Sequence, residues 1–281
     1  MTAANAAARA AAVPARGRRP VPASPALWIG SAGLLLYFTI PLAALLLFLP
    51  LHDLVGPLRS PLALTALWLT VKTTLVATAL AVGLGTPLAY LLARVRFRGR
   101  DLVDTLVDLP ITIPPVVAGV ALLLAFGRRG LIGRHLDVVG VQIAFSSVAV
   151  VMAQVFIASP FFVKAARAGF EAVDARLEAA ARTLGASPWR VFWTITVPLA
   201  RPALLSGVVL AWARALSEFG ATMMFAGNFP GRTQTLTLAV MTALESDLPT
   251  AVAVSALSLG LAVTALLGAR WLAGRWRIPL A

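Results

Sequence analysis

Cysteine is absent from the 281 residues. A disulfide framework, a thiolate nucleophile and a zinc–cysteine site are all excluded. Histidine occurs only at His52 and His135, far apart and without metal-ligand spacing. Lysine is equally scarce, at Lys72 and Lys164, and no G-x-x-x-x-G-K-[ST] stretch exists. Without that phosphate-cradling loop the chain does not hydrolyse ATP by the P-loop route. Charged residues make up 12%, where soluble domains carry about 25%. Hydrophobic residues fill the gap at 59%. That balance defines an integral membrane protein.

The apolar residues fall into six long runs, at about 27–49, 62–93, 102–127, 142–164, 202–227 and 249–273. Each can cross roughly 30 Å of hydrocarbon as a helix. They are continuous rather than alternating, which favours helices over a β-barrel. The expected fold class is therefore an all-α integral membrane protein with six transmembrane helices. Residues 1–26, rich in Ala, Pro and Arg, read as a disordered basic tail. The run after it is too long for a signal-peptide core, so it is expected to be an uncleaved first helix. Residues 274–281 form a second tail, and 27–273 the membrane domain.

Net charge is +13, which in a soluble protein would suggest nucleic acid. Here the basic residues mark loops instead, and no nucleic-acid partner is expected. With the N-terminus inside, seventeen Lys and Arg lie on the inner side and five on the outer, while Lys72 and Arg214 lie within spans. By the positive-inside rule both termini are cytoplasmic.

The largest inner loop contains "LEAAARTLGASPWRVFWTITVPLARP", residues 177–202. Ala, Leu, Glu and Arg favour a first helix. Gly185 permits the left-handed turn that ends it. Ser187 is placed to cap a second helix that starts on Pro188. The segment reads as helix, bend, short helix on the membrane surface, with Trp189, Phe192 and Trp193 on one side and Glu178, Arg182 and Arg190 free to face a partner. From the pattern alone, a surface anchored in lipid headgroups is as good an account as a protein-docking element.

The residues themselves favour docking. "EAAARTLG…ITVP" resembles the EAA loop of binding-protein-dependent ABC importers, with Gly185, Ile195 and Pro198 at that family's spacing. Three further stretches are similar to the molybdate-type branch of these permeases: "LPITIPPVVAGVALLLAFGRRGLIG", "SPFFVKAARAGFEAVDARLEAAARTLGAS" and "RALSEFGATMMFAGNFPGRTQTLTLAVMTALE". The resemblance implies a type I ABC importer permease fold in the cytoplasmic (inner) membrane, and a pore made by a homodimer among membrane lipids. It implies two separate ATP-binding subunits below, carrying ATP and Mg, and an extracytoplasmic oxyanion-binding protein above. This chain would bind no cofactor and would not itself be an enzyme. Glu178, Ala179, Ala180, Gly185, Ala186, Pro188 and Trp189 would form the ATPase-coupling element in 171–200.

Arg214 and Glu218 lie four apart within the fifth run, so a helix puts them on one face. A lone charge in mid-bilayer costs about 2.5–3.5 kcal/mol, and pairing reduces that. They are either a structural ion pair or part of the anion path or its gate. Ser217, Gly220 and Thr222 add small polar surface, which equally suits close helix packing. Arg128, Arg129 and Arg134 would sit at the outer mouth. Asp101, Asp104 and Asp108 share a helix face and are expected to neutralise the preceding "RVRFRGR". Pro110, Pro114 and Pro115 are expected to kink or unwind the third span, which favours a pore-side position for it.

The leading functional reading is the membrane subunit of an ATP-driven molybdate importer. Tungstate, then sulfate, are the alternative cargoes. A self-contained secondary transporter would show paired broken helices in internal repeats, which the sequence lacks. A membrane enzyme needs a polar constellation within the spans, for which only Arg214 and Glu218 qualify.

Overall fold

A computed structural model describes residues 24–48 and 60–275. The expected tails at 1–26 and 274–281, and His52, fall wholly or largely outside them. Among the described residues the chain is helical, without strands. Among these residues five continuous helices are long and apolar enough to span a membrane, or six spans if one sharply bent pair counts as one.

Helix α1, Pro25–Leu47, forms a compact unit of its own. It is apolar all round, and the Thr39 hydroxyl donates back to the Leu35 carbonyl at 3.0 Å. A helix bathed in hydrocarbon must satisfy its polar groups internally in this way.

The second unit starts with α2, Pro61–Arg94, a 34-residue helix capped by the Ser60 hydroxyl, which accepts from the Ala63 amide. Its buried stripe is made of small residues: Ala63, Ala66, Thr70, Thr74, Ala77, Ala81, Gly85 and Ala89. Small side chains let helix backbones approach closely, which is how helices associate where no hydrophobic effect drives them together. The Thr70, Thr74 and Thr78 hydroxyls donate to carbonyls one turn back at 2.7 Å. Two of them also accept, Thr70 from the Leu236 amide at 2.8 Å and Thr74 from Trp212 Nε1 at 3.1 Å.

The third run is broken rather than continuous over 102–127. It forms α3, Arg100–Thr112, and α4, Pro115–Phe126, whose axes bend by 117° between them. The cause is local. Pro114 and Pro115 donate no amide, and a residue preceding proline is pushed out of the helical region. Ile113 and Pro114 accordingly sit at ψ 143° and 136°. Pro110 remains inside α3 without breaking it.

Helix α5, Gly133–Val138, follows, then α6, Ser147–Ala172. Helix α3 buries no side chain completely and is tied to α6 by charge. Arg167 grips both oxygens of Asp104 at 2.6 and 2.7 Å, and Lys164 meets Asp108 at 2.8 Å. The expectation that these aspartates neutralise "RVRFRGR" is thus corrected. They face cations on α6, whose side chains come within reach because the two helices run side by side.

Helices α7 (Ala175–Thr183) and α8 (Pro188–Val191) come next. A π-helical turn, Phe192–Thr196, joins α8 to α9, Val197–Leu216. The fifth candidate span is therefore Pro188–Leu216, not 202–227. Pro198 explains the π turn, because a proline ring crowds the carbonyl four residues back, and widening the turn relieves the clash. Beyond the break at 217–219 lie α10 (Gly220–Ala226), α11 (Leu236–Ser246) and α12 (Leu248–Arg275).

Three apolar clusters hold this unit. Phe162, Phe170 and Leu92 centre the first, where α2, α6 and α9 meet. Ile157, Leu122 and Phe225 join α4, α6 and α10. Leu236 and Val254 join α2, α11 and α12.

Candidate functional site

Two places gather the residues singled out by the sequence. The first is a knob formed by α7 and α8 at one end of the bundle. Gly185 adopts φ +86°, a left-handed conformation that favours glycine, and turns the chain between the two helices. The Ser187 hydroxyl accepts from the Arg190 amide at 3.3 Å, and Pro188 opens α8. Ala179, Ala180, Gly185, Pro188 and Trp189 are exposed, and Ala186 is half-buried. The most exposed apolar side chain here is Leu184, at 88%, with Trp189 at 71%. Sequence reasoning passed over Leu184, although an apolar residue at the last position before the glycine bend has no core to enter. Behind the tip, Phe192 stacks on Trp189, meets Trp193 and Tyr90 edge-on and lies tilted against Phe170, which anchors the knob to α2 and α6.

Glu178 does not face outward. It is 3% exposed. Its Oε1 accepts from Arg94 Nη2 and from the Thr196 hydroxyl, both at 2.8 Å, and Oε2 lies 3.6 Å from Arg182. Arg94 also donates to the Val173 carbonyl at 2.9 Å. The expectation that Glu178 meets a partner directly is corrected. A carboxylate with a guanidinium and a hydroxyl within reach is held inside by charge-assisted bonds. Arg94 and Thr196 were missed because they lie 84 and 18 residues from Glu178, and nothing local signals the meeting.

The second place is the break after α9. Helix α9 ends at Leu216, so Arg214 and Glu218 do not share a continuous helix. They still meet, Arg214 Nη2 to Glu218 Oε2 at 3.0 Å, with the Glu218 side chain fully buried and the Arg214 side chain 24% exposed. Glu218 Oε1 accepts from the Ala221 amide at 2.8 Å and so caps α10. Its carbonyl accepts from the Thr237 hydroxyl at 2.9 Å, which ties the break to α11. Ser217 is exposed and bonds the Arg214 carbonyl at 3.2 Å. Gly220 and Thr222 are buried. A methyl group on Gly220 would come within 3.1–3.2 Å of Pro115 and Val116, so this glycine serves the contact between α10 and α4. Of the five residues, Arg214 and Ser217 retain exposed surface, Glu218 is the buried counter-ion, and Gly220 and Thr222 pack. Beside them Ser217, Thr237 and Ser258 are the hydroxyl-bearing residues of a mainly apolar cavity of about 300 Å³ between α9, α11 and α12.

At the opposite end from the knob, Asp137 accepts from Arg128 Nε and Gln142 Nε2, both at 3.0 Å. These bonds, the Arg128 one foremost, hold its carboxyl below the usual carboxylate range. Arg128 is thereby engaged within its own loop. Among the described residues no group of three or more His, Asp or Glu side chains could hold a metal ion.

The described helices make an α-helical bundle of membrane-spanning length and composition, with one broken candidate span and a helical knob. Residues 85–278 match the binding-protein-dependent transport system inner membrane component family, and the chain belongs to that family. It is 43% identical over 234 residues to the molybdenum transport system permease protein ModB of Mycobacterium tuberculosis, covering 83% of this chain and 89% of that one. It is also 43% identical to the Escherichia coli K12 protein of the same name, covering 74% and 92%. The molybdate/tungstate transport system permease protein WtpB of Thermococcus kodakarensis is 39% identical, covering 86% and 92%. Among solved structures, a bacterial ABC transporter importing alginate aligns with TM-score 0.64 at 16% identity, over 90% of this chain and 99% of that one. The MetNI methionine ABC transporter, in inward-facing conformations, aligns with TM-score 0.61 at 16% identity, over 77% and 97%. The fold is that of ABC importer permeases.

Proposed function

We propose that this chain is the membrane-spanning subunit of an ATP-driven importer that moves molybdate across the cytoplasmic membrane, with both termini inside. The observation that carries this reading is the 43% identity, over most of the chain, to proteins named as molybdenum transport permeases. Two copies form the pore among membrane lipids. Two ATPase subunits, carrying ATP and Mg, grip the knobs from the cytoplasm. An extracytoplasmic binding protein delivers the oxyanion from the other side. The exposed Ala179, Ala180, Leu184, Gly185, Pro188 and Trp189 supply a small-residue and aromatic surface suited to a cleft in the ATPase. ATP binding closes the ATPase pair, displaces the knobs and opens the pore outward. Arg214 and Ser217 line the anion path, and Glu218 holds the guanidinium in place.

Tungstate is the second cargo this reading admits, since one relative is named for both oxyanions. The test is labelled-molybdate uptake by proteoliposomes holding the complete complex, with tungstate and sulfate as competitors. ATP-dependent uptake that molybdate and tungstate suppress, and sulfate does not, is the expected result. Full-rate uptake without ATP, or strong competition by sulfate, refutes the proposal.

A further inference from the structure

We infer that Glu178 is the joint through which motion of the knob reaches the spanning helices, a positioning residue rather than a contact with the ATPase. The inference rests on the importer reading above. Its basis is how α7 is attached. A surface helix ordinarily docks by an apolar stripe. In α7 the single buried side chain is a carboxylate, and Leu177, its large apolar residue, is 49% exposed.

The attachment converges on one atom. Glu178 Oε1 receives Arg94, the last residue of α2, and Thr196, the residue that leads into α9. The same Arg94 guanidinium holds the Val173 carbonyl at the end of α6. Three spanning helices and the knob thus share one charge-assisted node. Thr196 is fully buried and is the last residue of the π turn, and its hydroxyl donates to the carboxylate from there. Hydrogen bonds of this kind are short and directional, so a push on α7 is passed to α2 and α9. An apolar contact in the same place could slide.

The experiment uses the full complex in proteoliposomes and compares anion transported with ATP hydrolysed. Glu178→Gln keeps the shape but removes the charge. The variant complex is expected to assemble and to hydrolyse ATP within about twofold of the original, while anion moved per ATP falls at least tenfold. Thr196→Val removes one donor and is expected to lower that ratio about threefold. Thr196→Ser, which keeps the hydroxyl, is expected to restore it. An unchanged ratio in Glu178→Gln overturns the inference. So does a parallel fall of hydrolysis and transport with complex yield, which marks a static brace. If Glu178→Gln fails to assemble, the threonine pair decides: a Thr196→Val complex coupled as well as the original overturns the joint. Failure of the importer reading is distinguishable, because the unsubstituted complex would then transport without ATP.

Discussion

Removing the Arg214 side chain would leave the Glu218 carboxylate fully buried with its Oε2 atom facing no cation. Glu218 Oε1 would keep its bond from the Ala221 amide, so α10 remains capped. The uncompensated charge is therefore the main loss. At the 3.0 Å separation in the structure and an effective dielectric of about 20, two unit charges attract by roughly 5 kcal/mol. Stripping one partner from a buried pair costs about 3–5 kcal/mol, and the partial exposure of Arg214 places the expectation at the lower end. Arg214→Met alone should thus destabilise by about 3 kcal/mol. Replacing both charges, Arg214→Met with Glu218→Gln, should recover most of that, because no buried charge is left over. The assay is a double-mutant cycle on thermal unfolding of the purified complex, read beside uptake. A coupling energy under about 0.5 kcal/mol refutes the buried-pair argument. The double variant also separates two roles. If Arg214 lines the path, the double variant is stable and does not transport; if the pair only packs, it is stable and does.

Three further outcomes are expected. Gly119→Ala would place a methyl 2.7 Å from the Ala221 carbonyl oxygen and from Met224 Cβ; it should separate α4 from α10 and cost about 1–3 kcal/mol, measured by thermal unfolding. Trp189→Ala should weaken ATPase-subunit binding by at least about thirtyfold, as an aromatic anchor of roughly 2 kcal/mol, and lower stability by only about 1 kcal/mol, because the exposed side chain touches just the Phe192 and Trp193 rings in this aromatic cluster; binding is read by titration of the subunit. The Asp137 loop should loosen only in acid. Its carboxyl lies below the model-peptide value of 3.8, so the stabilisation is complete above that value and is lost as pH falls through the lower folded value. Amide protection factors over residues 128–142, from which the intrinsic pH dependence of exchange is divided out, should therefore be unchanged from pH 7 to 5, and lower at neutral pH in Asp137→Asn.

Hydrophobic continuity alone marked α2 and α12 nearly end to end, and overlapped α6 over residues 147–164 while missing its last turns, because a span of lipid demands an unbroken apolar helix. The sequence also placed the bend at Gly185 and the caps at Ser187 and Pro188, since those residues act on backbone within a few positions of themselves. It marked the prolines that break the third span without revealing a 117° turn, because a lost amide frees the backbone but neighbouring helices choose the angle. It paired Arg214 with Glu218 through a helix that in fact ends at Leu216; proximity survived because four residues of separation suffice in either backbone. Tertiary structure alone decided the rest. Glu178 turns inward, Asp104 and Asp108 reach α6, and Gly220 packs against Pro115. Each depends on a partner distant in the chain, and a charge or a small side chain carries no local mark of what will be brought beside it.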